Sequence, residues 1–274
     1  MPELPEVELA RRNLARWLEG KRIRATLIPK TRIVRGSTPE KIERLLDGRT
    51  VTSVERRGKW LRIALDRGAL FSHLGMTGKW VRREPDEPAH KSERARIDVE
   101  GASVRYQDPR LFGRLVPSPS EDGAPIAEWQ ALGPDPLVDG LDPKVLAAAL
   151  SRTRRSIKEA LMDQSVLAGV GNIQANEALW RARIDPRTPA AALDDKQLRA
   201  LVRGIDASIA YTLKTEAGPE ITYVEEPGAK NPFRVYGKTG QPCPRCAHPI
   251  TRLDQAGRGT FLCPHCQRGH SPGT

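Results

Sequence analysis

The first apolar pattern of the chain has the period of an amphipathic helix. Between residues 3 and 19, apolar side chains recur every three or four positions: Val7, Ala10, Leu14 and Leu18. Glu3 and Glu6 lie in the first turn, where the positive end of the helix dipole favours acidic groups. The pattern therefore predicts a helix that begins almost at residue one.

From residue 22 to about residue 115 the pattern changes to short β-rich runs separated by glycine turns. The clearest runs are 49–57, 59–65, 70–74 and 103–106. One helical stretch interrupts them, with Ser37 or Thr38 as its cap, Pro39 at the first helical position and Gly48 as its stop. We predict an antiparallel β-sandwich or barrel with flanking helices.

Residues 117–125 form a stretch rich in Pro, Ser and Gly that has little to bury, which indicates a boundary between two halves. Beyond it the apolar period is helical. Four helices are expected: 141–150, 156–162, 173–183 and 195–215. We therefore predict an α+β protein of two domains with these limits: a β-sandwich at 1–116, a linker at 117–135, a helical domain at 136–236 and a finger at 237–270.

All four cysteines lie in two Cys-x-x-Cys pairs near the end of the sequence, with 16 residues between the pairs: Cys243, Cys246, Cys263 and Cys266. Each short spacer aims two thiolates at one ion, and a hairpin brings the two pairs together. Two disulfides or four buried thiols are the alternatives, but nothing else indicates an oxidising compartment. We predict one Zn²⁺ ion with a structural role, because four protein ligands leave no open coordination position.

The net charge of the chain indicates which class of partner it binds. The chain carries 45 Lys+Arg against 34 Asp+Glu, a formal net charge of +11, with a pI near 9.8. This balance favours nucleic acid over a neutral small molecule, and a merely basic, solvated surface is the alternative. No apolar run approaches the roughly 18 residues of a membrane span, and no signal peptide is recognisable. We expect a cytoplasmic protein without a membrane partner.

The second residue offers unusual chemistry. Pro2 makes the initiator methionine easy to remove, which exposes a secondary amine. The pKa of an α-amino group is about 8, so an appreciable fraction is neutral and nucleophilic near pH 7. Attack on an aldehyde-level sugar carbon gives a charged iminium that acidifies neighbouring C–H bonds, and Glu3 stands ready to move the protons. The alternative is that Pro2 only starts the helix.

Three predicted turns carry side chains suited to DNA. Lys59 stands at an expected hairpin tip, although most such lysines are only solvated. Met76 lies in one glycine-flanked turn, and Arg110 and Phe112 lie in another. Such side chains at loop tips can enter a base stack and fill the gap left by an extruded base. Core packing is the alternative for Met76 and Phe112.

The second half offers candidate phosphate contacts. Asn172 is placed to cap a predicted helix behind a Gly-Val-Gly turn, and a helix N-terminus of this kind binds phosphate readily. A capped helix without a ligand is the alternative. Arg258 lies between glycines at the expected finger tip, which suggests a phosphate contact. A further run adds a basic face, although such runs are more often only solvated: Arg152, Arg154, Arg155 and Lys158.

Together these motifs resemble those of bacterial formamidopyrimidine-DNA glycosylases, in the Fpg/Nei family, over the whole chain. They occur in the family's order: Pro-Glu-Leu-Pro-Glu-Val, the hairpin lysine, His-Leu-Gly-Met, Asp-Pro-Arg-x-Phe-Gly, Leu-Met-Asp-Gln, Gly-Val-Gly-Asn-Ile, Val-Tyr-Gly and the four-cysteine finger. Glu-Leu after Pro2 favours the formamidopyrimidine branch over the endonuclease VIII branch. The resemblance implies a helix-two-turn-helix domain that ends in a zinc ribbon.

The resemblance implies a bifunctional DNA glycosylase and AP lyase of base-excision repair. Such an enzyme removes 8-oxoguanine and formamidopyrimidines from damaged double-stranded DNA and nicks the strand by β,δ-elimination. Pro2 corresponds to the nucleophile and Glu3 to the acid/base. Lys59 corresponds to a lysine assigned to phosphate contact and β-elimination, and Arg258 to an arginine linked to phosphate binding and δ-elimination.

The resemblance also assigns DNA contacts. Met76, Arg110 and Phe112 correspond to the trio that fills the void, with Arg110 facing the orphaned cytosine. The remaining DNA contacts, of which the second and third align only loosely, are His73, His90, Arg154 and Asn172.

Two departures from the family pattern stand out. Gln174 replaces the usual Tyr, which should weaken one phosphate-side contact. Segment 217–233 is shorter than, and different from, the Gly-Gly-Thr-containing loop that typically covers 8-oxoguanine. The resemblance implies a monomer in the bacterial cytoplasm, at the nucleoid when active. The alternatives are an endonuclease VIII-like oxidised-pyrimidine glycosylase and a non-catalytic, zinc-dependent damaged-DNA-binding protein.

Overall fold

The computed structural model describes residues 2–268. The chain divides into two compact units, and the first comprises Met1–Ala131 together with Glu216–Ala229. The second comprises Leu132–Thr215 and Lys230–Thr274. The predicted domain limits stay a prediction. The removal of Met1 and the end of the predicted finger, 269–270, concern positions outside the described residues.

Helix α1 covers Leu4–Leu18, as its apolar period predicts, and a capping box fixes its start. The Glu6 side chain accepts the backbone N–H of Glu3 at 2.8 Å, and the Glu3 side chain accepts the backbone N–H of Glu6. These reciprocal bonds satisfy two amides that a helix start otherwise leaves unpaired. Glu3, the direct neighbour of Pro2, is thereby fixed at the start of the helix.

Two four-stranded antiparallel sheets form the β-sandwich of the first unit, which confirms the predicted class. In spatial order, one sheet contains β1 (Ala25–Leu27), β6 (Glu93–Val99), β7 (Ala102–Gln107) and β5 (Lys79–Arg83). The other contains β2 (Val51–Arg57), β3 (Trp60–Leu65), β4 (Ala69–His73) and β8 (Arg114–Pro117). The buried Trp80 indole donates to Ser72 Oγ at 3.1 Å and joins the facing sheets.

Two short helices flank the sandwich. Helix α2 covers Pro39–Leu46, with Thr38 as its cap and Pro39 at the first position, as predicted. Helix α3, Ala127–Gln130, falls inside the predicted linker and is missed by the sequence pattern, because four residues are too few to establish a helical period.

Four α-helices and a short 3₁₀ helix at Ala190–Ala192 lie in the described part of the second unit. The four α-helices agree with the predicted runs to within two residues at each end: α4 (Pro143–Leu150), α5 (Ile157–Leu161), α6 (Asn172–Ala182) and α7 (Asp195–Thr215). Helices α6 and α7 approach closely at Gly204, where a Cβ atom would lie 2.6 Å from the Ala178 carbonyl oxygen. A hairpin of β9 (Thr251–Gln255) and β10 (Arg258–Leu262) follows. Within residues 2–268, no helix has both the length and the apolarity needed to cross a bilayer.

A buried ion pair joins α1 to the β2–β3 hairpin. Arg56 Nε donates to Glu8 Oε2 at 3.2 Å, and Arg56 Nη1 donates to the Gly58 carbonyl oxygen at 3.1 Å. The side chains of Arg56 and Glu8 are only 1% and 11% exposed. Burial by itself would raise the pKa of Glu8, but hydrogen bonds from Arg11 and Arg12 and the charge of Arg56 hold it below its usual value.

We expect Arg56→Met to lower the free energy of unfolding by about 2–3 kcal/mol, because the buried Glu8 carboxylate then loses one of its cations. The matched control is Arg67→Met, which breaks the exposed pair with Glu121 and should cost less than about 0.5 kcal/mol. Urea unfolding followed by tryptophan fluorescence measures both. Equal losses in the two variants would show that the buried pair does not brace the hairpin.

Candidate functional site

The start of α1 places the predicted nucleophile and acid/base together. Pro2, Glu3 and Glu6 are all buried. Burial and the neighbouring charge of Glu3 raise the pKa of Glu6 above its ordinary value. Covalent and acid–base chemistry require a nucleophile and proton-transfer groups held close together. Glu6, which the sequence analysis treated only as a helix-start acid, belongs to this group.

Lys59 lies in the turn between β2 and β3, as predicted. The strand register pairs Trp60 with His73 and His73 with Arg114. Lys59 and Arg114 therefore lie close enough to His73 for their charges to affect it. The structure thus brings two of the predicted contacts, Lys59 and His73, to one end of the second sheet and adds the cation Arg114, which the sequence analysis missed.

His73 is held as a neutral ring. Its Nδ1 atom accepts the backbone N–H of Gly75 at 3.0 Å, and its ring meets Trp60 edge-on at 5.0 Å between centroids. Burial, with the charges of Lys59 and Arg114, lowers its pKa to about 4. The proton therefore resides on Nε2, so His73 can offer one N–H donor but no positive charge near neutral pH.

The two turns that carry the predicted void-filling residues are held by a single acid. Asp108 has no exposed surface. Its carboxylate accepts the Thr77 hydroxyl at 2.9 Å, the backbone N–H of Arg110 at 3.2 Å and that of Gly113 at 2.8 Å. Because Thr77 follows Met76 in the first turn, Asp108 joins that turn to the second. The sequence analysis noted Asp108 only as part of a motif.

Close backbone approach brings the same two turns together. Gly75 has φ +66°, and a Cβ atom there would lie 2.4 Å from the carbonyl carbon of Phe112. Phe112 is 48% exposed, and the guanidinium groups of Arg110 and Arg32 lie 5.0 and 5.9 Å from its ring centroid. This exposure contradicts core packing for Phe112. Met76 is half-buried beside it in the neighbouring turn.

In the second unit, the β9–β10 hairpin brings two predicted phosphate contacts near each other. Arg258 is exposed at the start of β10. The next residue, Gly259, accepts the Asn172 side-chain amide at 3.2 Å. The predicted cap was wrong: Gly171 is the N-cap of α6 and Asn172 is the first helical residue. Its amide holds the hairpin instead.

Lys158 was predicted to belong to a basic face, and the structure contradicts this. The side chain is buried, at 1% exposure, and its ammonium donates to the Gly259 carbonyl oxygen at 3.1 Å and to Thr260 Oγ1 at 2.6 Å. Asn176 Oδ1 also accepts the backbone N–H of Phe261 at 2.7 Å. Lys158 therefore fixes the finger hairpin and cannot form part of a solvated surface.

The four cysteines form a cluster that fits a zinc ion. None of them forms a disulfide, and three Sγ–Sγ distances are 4.0 Å for Cys243–Cys266, 3.4 Å for Cys246–Cys263 and 3.3 Å for Cys246–Cys266. Zn–S bonds of about 2.3 Å in a tetrahedron place sulfurs about 3.8 Å apart. The Trp180 indole donates to Cys243 Sγ at 3.4 Å and helps to stabilise a thiolate there.

Three further positions from the sequence analysis lie in a loop, between two helices and inside the second unit. His90 is exposed in a loop and its Nδ1 lies 2.6 Å from Ser92 Oγ, while Arg154 is exposed between α4 and α5. Their roles stay predictions. Gln174 is buried between α6 and α7, where it bonds Thr212 at 2.9 Å and Ser208 at 2.6 Å. The hydrogen bonds of its side chain are therefore made within the second unit.

Segment 216–229 lies on the first unit through contacts that the sequence did not reveal. The Tyr223 hydroxyl donates to the Gly78 carbonyl oxygen at 2.5 Å, and both groups are buried. Glu220 pairs with Arg83, and Glu226 lies 3.4 Å from the Lys79 ammonium. Residues 217–229, most of the segment expected to differ from the family pattern, are thus held beside the turn that carries Met76.

Comparison with protein families gives three matches along the chain. Residues 1–115 match the formamidopyrimidine-DNA glycosylase N-terminal domain, and residues 132–222 match the formamidopyrimidine-DNA glycosylase H2TH domain. Residues 240–269 match the zinc finger found in FPG and IleRS. The predicted family, helix-two-turn-helix region and zinc finger are confirmed.

Individual proteins give the same result. The formamidopyrimidine-DNA glycosylase of Geobacillus kaustophilus is 40% identical over 98% of this chain and 100% of its own length. Lactococcus lactis Fpg in complex with DNA containing an abasic site matches with a TM-score of 0.87 and 31% identity, over 97% of this chain and 99% of that chain. The wild-type L. lactis protein with DNA containing N7-benzyl-Fapy-dG also has a TM-score of 0.87, at 30% identity over 97% and 100%.

The His73 ring should remain neutral from about pH 5.5 to pH 8, since burial and two nearby cations lower its pKa to about 4. Its Cε1–H chemical shift in an NMR titration should be flat over this range. In Lys59→Met, which removes one cation, the pKa should rise only slightly because burial is the larger cause. A full titration of His73 between pH 6 and pH 7 would contradict this assignment.

Proposed function

The chain belongs to the formamidopyrimidine-DNA glycosylase family, and on this premise we propose that it is a bifunctional base-excision repair enzyme, both a DNA glycosylase and an AP lyase. Its substrate is damaged double-stranded DNA from which it removes oxidised purines, 8-oxoguanine and formamidopyrimidines. The observation that carries the proposal is the start of α1, where a capping box holds Pro2 and Glu3 in a buried position.

The reaction begins at the N-terminal amine that removal of Met1 exposes. The amine nitrogen of Pro2 bonds to C1′ of the damaged nucleotide while the bond from C1′ to the base breaks, and the base leaves with a proton. In the first product C1′ bears both the amine nitrogen and the ring oxygen O4′. The C1′–O4′ bond then breaks as O4′ takes up a proton, which opens the sugar and leaves an iminium, an electron sink that makes the C2′–H bond acidic. Loss of that proton breaks the C3′–O bond, and a further elimination breaks the C5′–O bond. Glu3 carries protons between these atoms.

Cationic groups and N–H donors of both units contact the DNA phosphates in this proposal. The Lys59 turn, braced to α1 by the Arg56–Glu8 pair, contacts the phosphate beside the lesion and assists β-elimination. Neutral His73 donates one N–H to the DNA backbone. In the second unit, Asn172 and Arg258 contact phosphate, and Arg258 assists δ-elimination. The formal net charge of +11 adds a sequence-independent attraction to DNA.

The lesion must leave the base stack before Pro2 can reach C1′. Met76, Arg110 and Phe112 then fill the gap, with Arg110 facing the orphaned cytosine. The 48% exposure of Phe112 and the rigid Asp108 support of both turns favour this role, because a wedge must be presented in advance and must not collapse.

One zinc ion is bound by the four cysteines of the finger, where it supplies a structural crosslink. With four thiolates it has no open position for a substrate. An ion held there would fix the ends of the β9–β10 hairpin, while Lys158, Asn172 and Asn176 bond to β10 itself, at Gly259, Thr260 and Phe261. The four cysteines would therefore bear on the reaction only through the position of Arg258.

The formamidopyrimidine branch is favoured by the name of the G. kaustophilus relative and by the L. lactis complex with DNA containing N7-benzyl-Fapy-dG. An endonuclease VIII-like preference for oxidised pyrimidines and a non-catalytic lesion binder are the rival functions. We further propose a monomer that works in the bacterial cytoplasm, at the nucleoid. The altered segment 216–229 lies beside the Met76 turn, so it bears on the choice of lesion.

Borohydride trapping tests the central step. Enzyme shown by mass spectrometry to begin at Pro2 should become covalently joined to duplex DNA containing 8-oxoguanine or formamidopyrimidine opposite cytosine. Pro2→Gly should lose at least about a hundredfold in trapping, because a primary amine on a freely rotating residue replaces the held secondary amine. The control, Pro29→Gly, changes an exposed loop proline and should trap like the parent.

Each rival has its own outcome in this experiment. Preferred cleavage of thymine glycol over the two purine lesions would establish the pyrimidine-specific enzyme. Binding to damaged DNA without trapping or incision would establish the non-catalytic protein. Incision at full rate by protein that retains Met1 would contradict the role of the N-terminal amine.

Zinc content should be one ion per chain by elemental mass spectrometry. We expect Cys263→Ala to contain almost none and to lose δ-elimination more than glycosidic cleavage, because the Arg258 hairpin is released. The control is His248→Ala, an exposed residue beside the cluster, which should keep the ion. A Cys263→Ala protein that retains a full complement of zinc would overturn the four-cysteine site.

A further inference from the structure

Segment 216–229 carries an acid that reaches the start of α1. We propose that Glu216 is a positioning residue for the reaction: its carboxyl group hydrogen-bonds the Glu6 carboxyl and thereby holds Glu3 and Pro2 in place. This inference rests on the proposed function and adds to it a residue from a distant part of the sequence.

The first step of the argument is the chain of bonds from Glu216 to Pro2. Glu6 is 3% exposed and accepts the backbone N–H of Glu3 at 2.8 Å. The Glu216 side chain is hydrogen-bonded to the same carboxyl group. Glu216 therefore contacts the group that orients Glu3, and Glu3 is the direct neighbour of Pro2. This makes Glu216 a residue that acts through another one and does not touch the substrate.

The second step is that the pair holds a proton. Glu216 Oε2 is sealed from solvent, and within residues 2–268 no N–H or O–H group donates to it. Two carboxylates that face each other in a dry site cannot both be charged at low cost. A proton on Glu216 removes the repulsion and provides the donor that Glu6 accepts.

The surrounding charges agree with this assignment. Burial, followed by the charges of Glu6, Glu225 and Glu3, raises the pKa of Glu216 to about 9. From α1, the pair faces Glu3; from its own segment, it faces Glu225 and Tyr223. The pKa of Tyr223 is itself raised by burial, so that group is neutral. Glu216 therefore keeps its proton at neutral pH and loses it above about pH 9.

The third step is that contacts of neighbouring residues hold the backbone around Glu216 in position. The Asn13 side-chain amide donates to the carbonyl oxygens of Gly218 at 3.4 Å and Pro219 at 3.1 Å. Asn13 belongs to α1, so the same helix that carries Glu3 and Glu6 also anchors the backbone beside Glu216. The ion pair of Glu220 with Arg83 fixes the next turn of the segment. The segment thus presents Glu216 to the start of α1 at a fixed place.

Single-turnover nicking of an abasic-site duplex at saturating enzyme tests the inference. Glu216→Gln, whose amide can still donate to Glu6, should keep the parent's rate within about twofold near pH 7. Glu216→Ala should be about tenfold slower, the equivalent of one hydrogen bond, with unchanged affinity for the duplex. The control is Glu100→Gln, which removes an exposed acid paired with Arg24 elsewhere in the first unit and should match the parent.

The pH profile distinguishes positioning from mere support of the fold. The parent should lose rate as Glu216 ionises near pH 9, and Glu216→Gln should lack that loss. The stability of the folded protein should also fall as the pH rises. The folded parent retains a proton that the unfolded chain releases above about pH 4.5, so its stability falls as pH rises from there towards 9. The melting temperature of Glu216→Gln should therefore exceed that of the parent by more at pH 8 than at pH 6.

The outcomes separate this inference from the proposed function. A Glu216→Ala protein that nicks as fast as the parent, or a Glu216→Gln protein with the parent's loss at high pH, overturns the role of Glu216 alone, provided that the parent is trapped by borohydride. A parent that neither nicks nor traps overturns the proposed function and this inference with it. Should Glu216→Ala fail to fold, the Gln profile still decides.

Discussion

The reciprocal hydrogen bonds between Glu3 and Glu6 at the start of α1 are the constraint on which the candidate site depends. They fix Glu3 beside Pro2, and two further parts of the first unit's site are bonded to the same helix. Glu8, in the same helix, holds the Lys59 turn through Arg56. Asn13, one turn further on, holds the backbone of segment 216–229. One helix thus positions the proposed nucleophile, the proposed phosphate-contact lysine and segment 216–229.

A second regularity is that each turn proposed to touch DNA is supported by a buried charge. Asp108 supports the turns of Met76 and Phe112, and Lys158 supports the hairpin of Arg258. Both charges are compensated mainly by backbone amides, carbonyls and hydroxyls. A buried charge is costly unless such partners are in place, so the turn that satisfies it has few alternative conformations. Rigid turns present their side chains before DNA arrives, which lowers the entropy cost of binding.

Local patterns were sufficient for most of the fold and for part of the site. The periods of α1, α2 and α7, the strand runs of β2 to β4 and the cysteine spacing depend on residues close in sequence, and the structure agrees with them. The remaining features depend on contacts between residues far apart in the sequence, which local patterns do not reveal. Asn172 and Lys158 look like a cap and a solvated cation in sequence, but β10 covers both. The support given by Asp108 depends on Thr77, which lies 31 positions away.

Segment 216–229 shows why its acids cannot be interpreted from composition alone. Glu220 and Glu226 find cations, Arg83 and Lys79, on β5. Glu216 instead meets another acid, an arrangement that lowers stability at neutral pH relative to an amide in the same place. The docking of the segment therefore depends on the proton that Glu216 carries, because ionisation of Glu216 would set two like charges against each other. The proposed reaction releases and takes up protons at the same helix end, so the docked segment and the proton-transfer groups share one electrostatic environment.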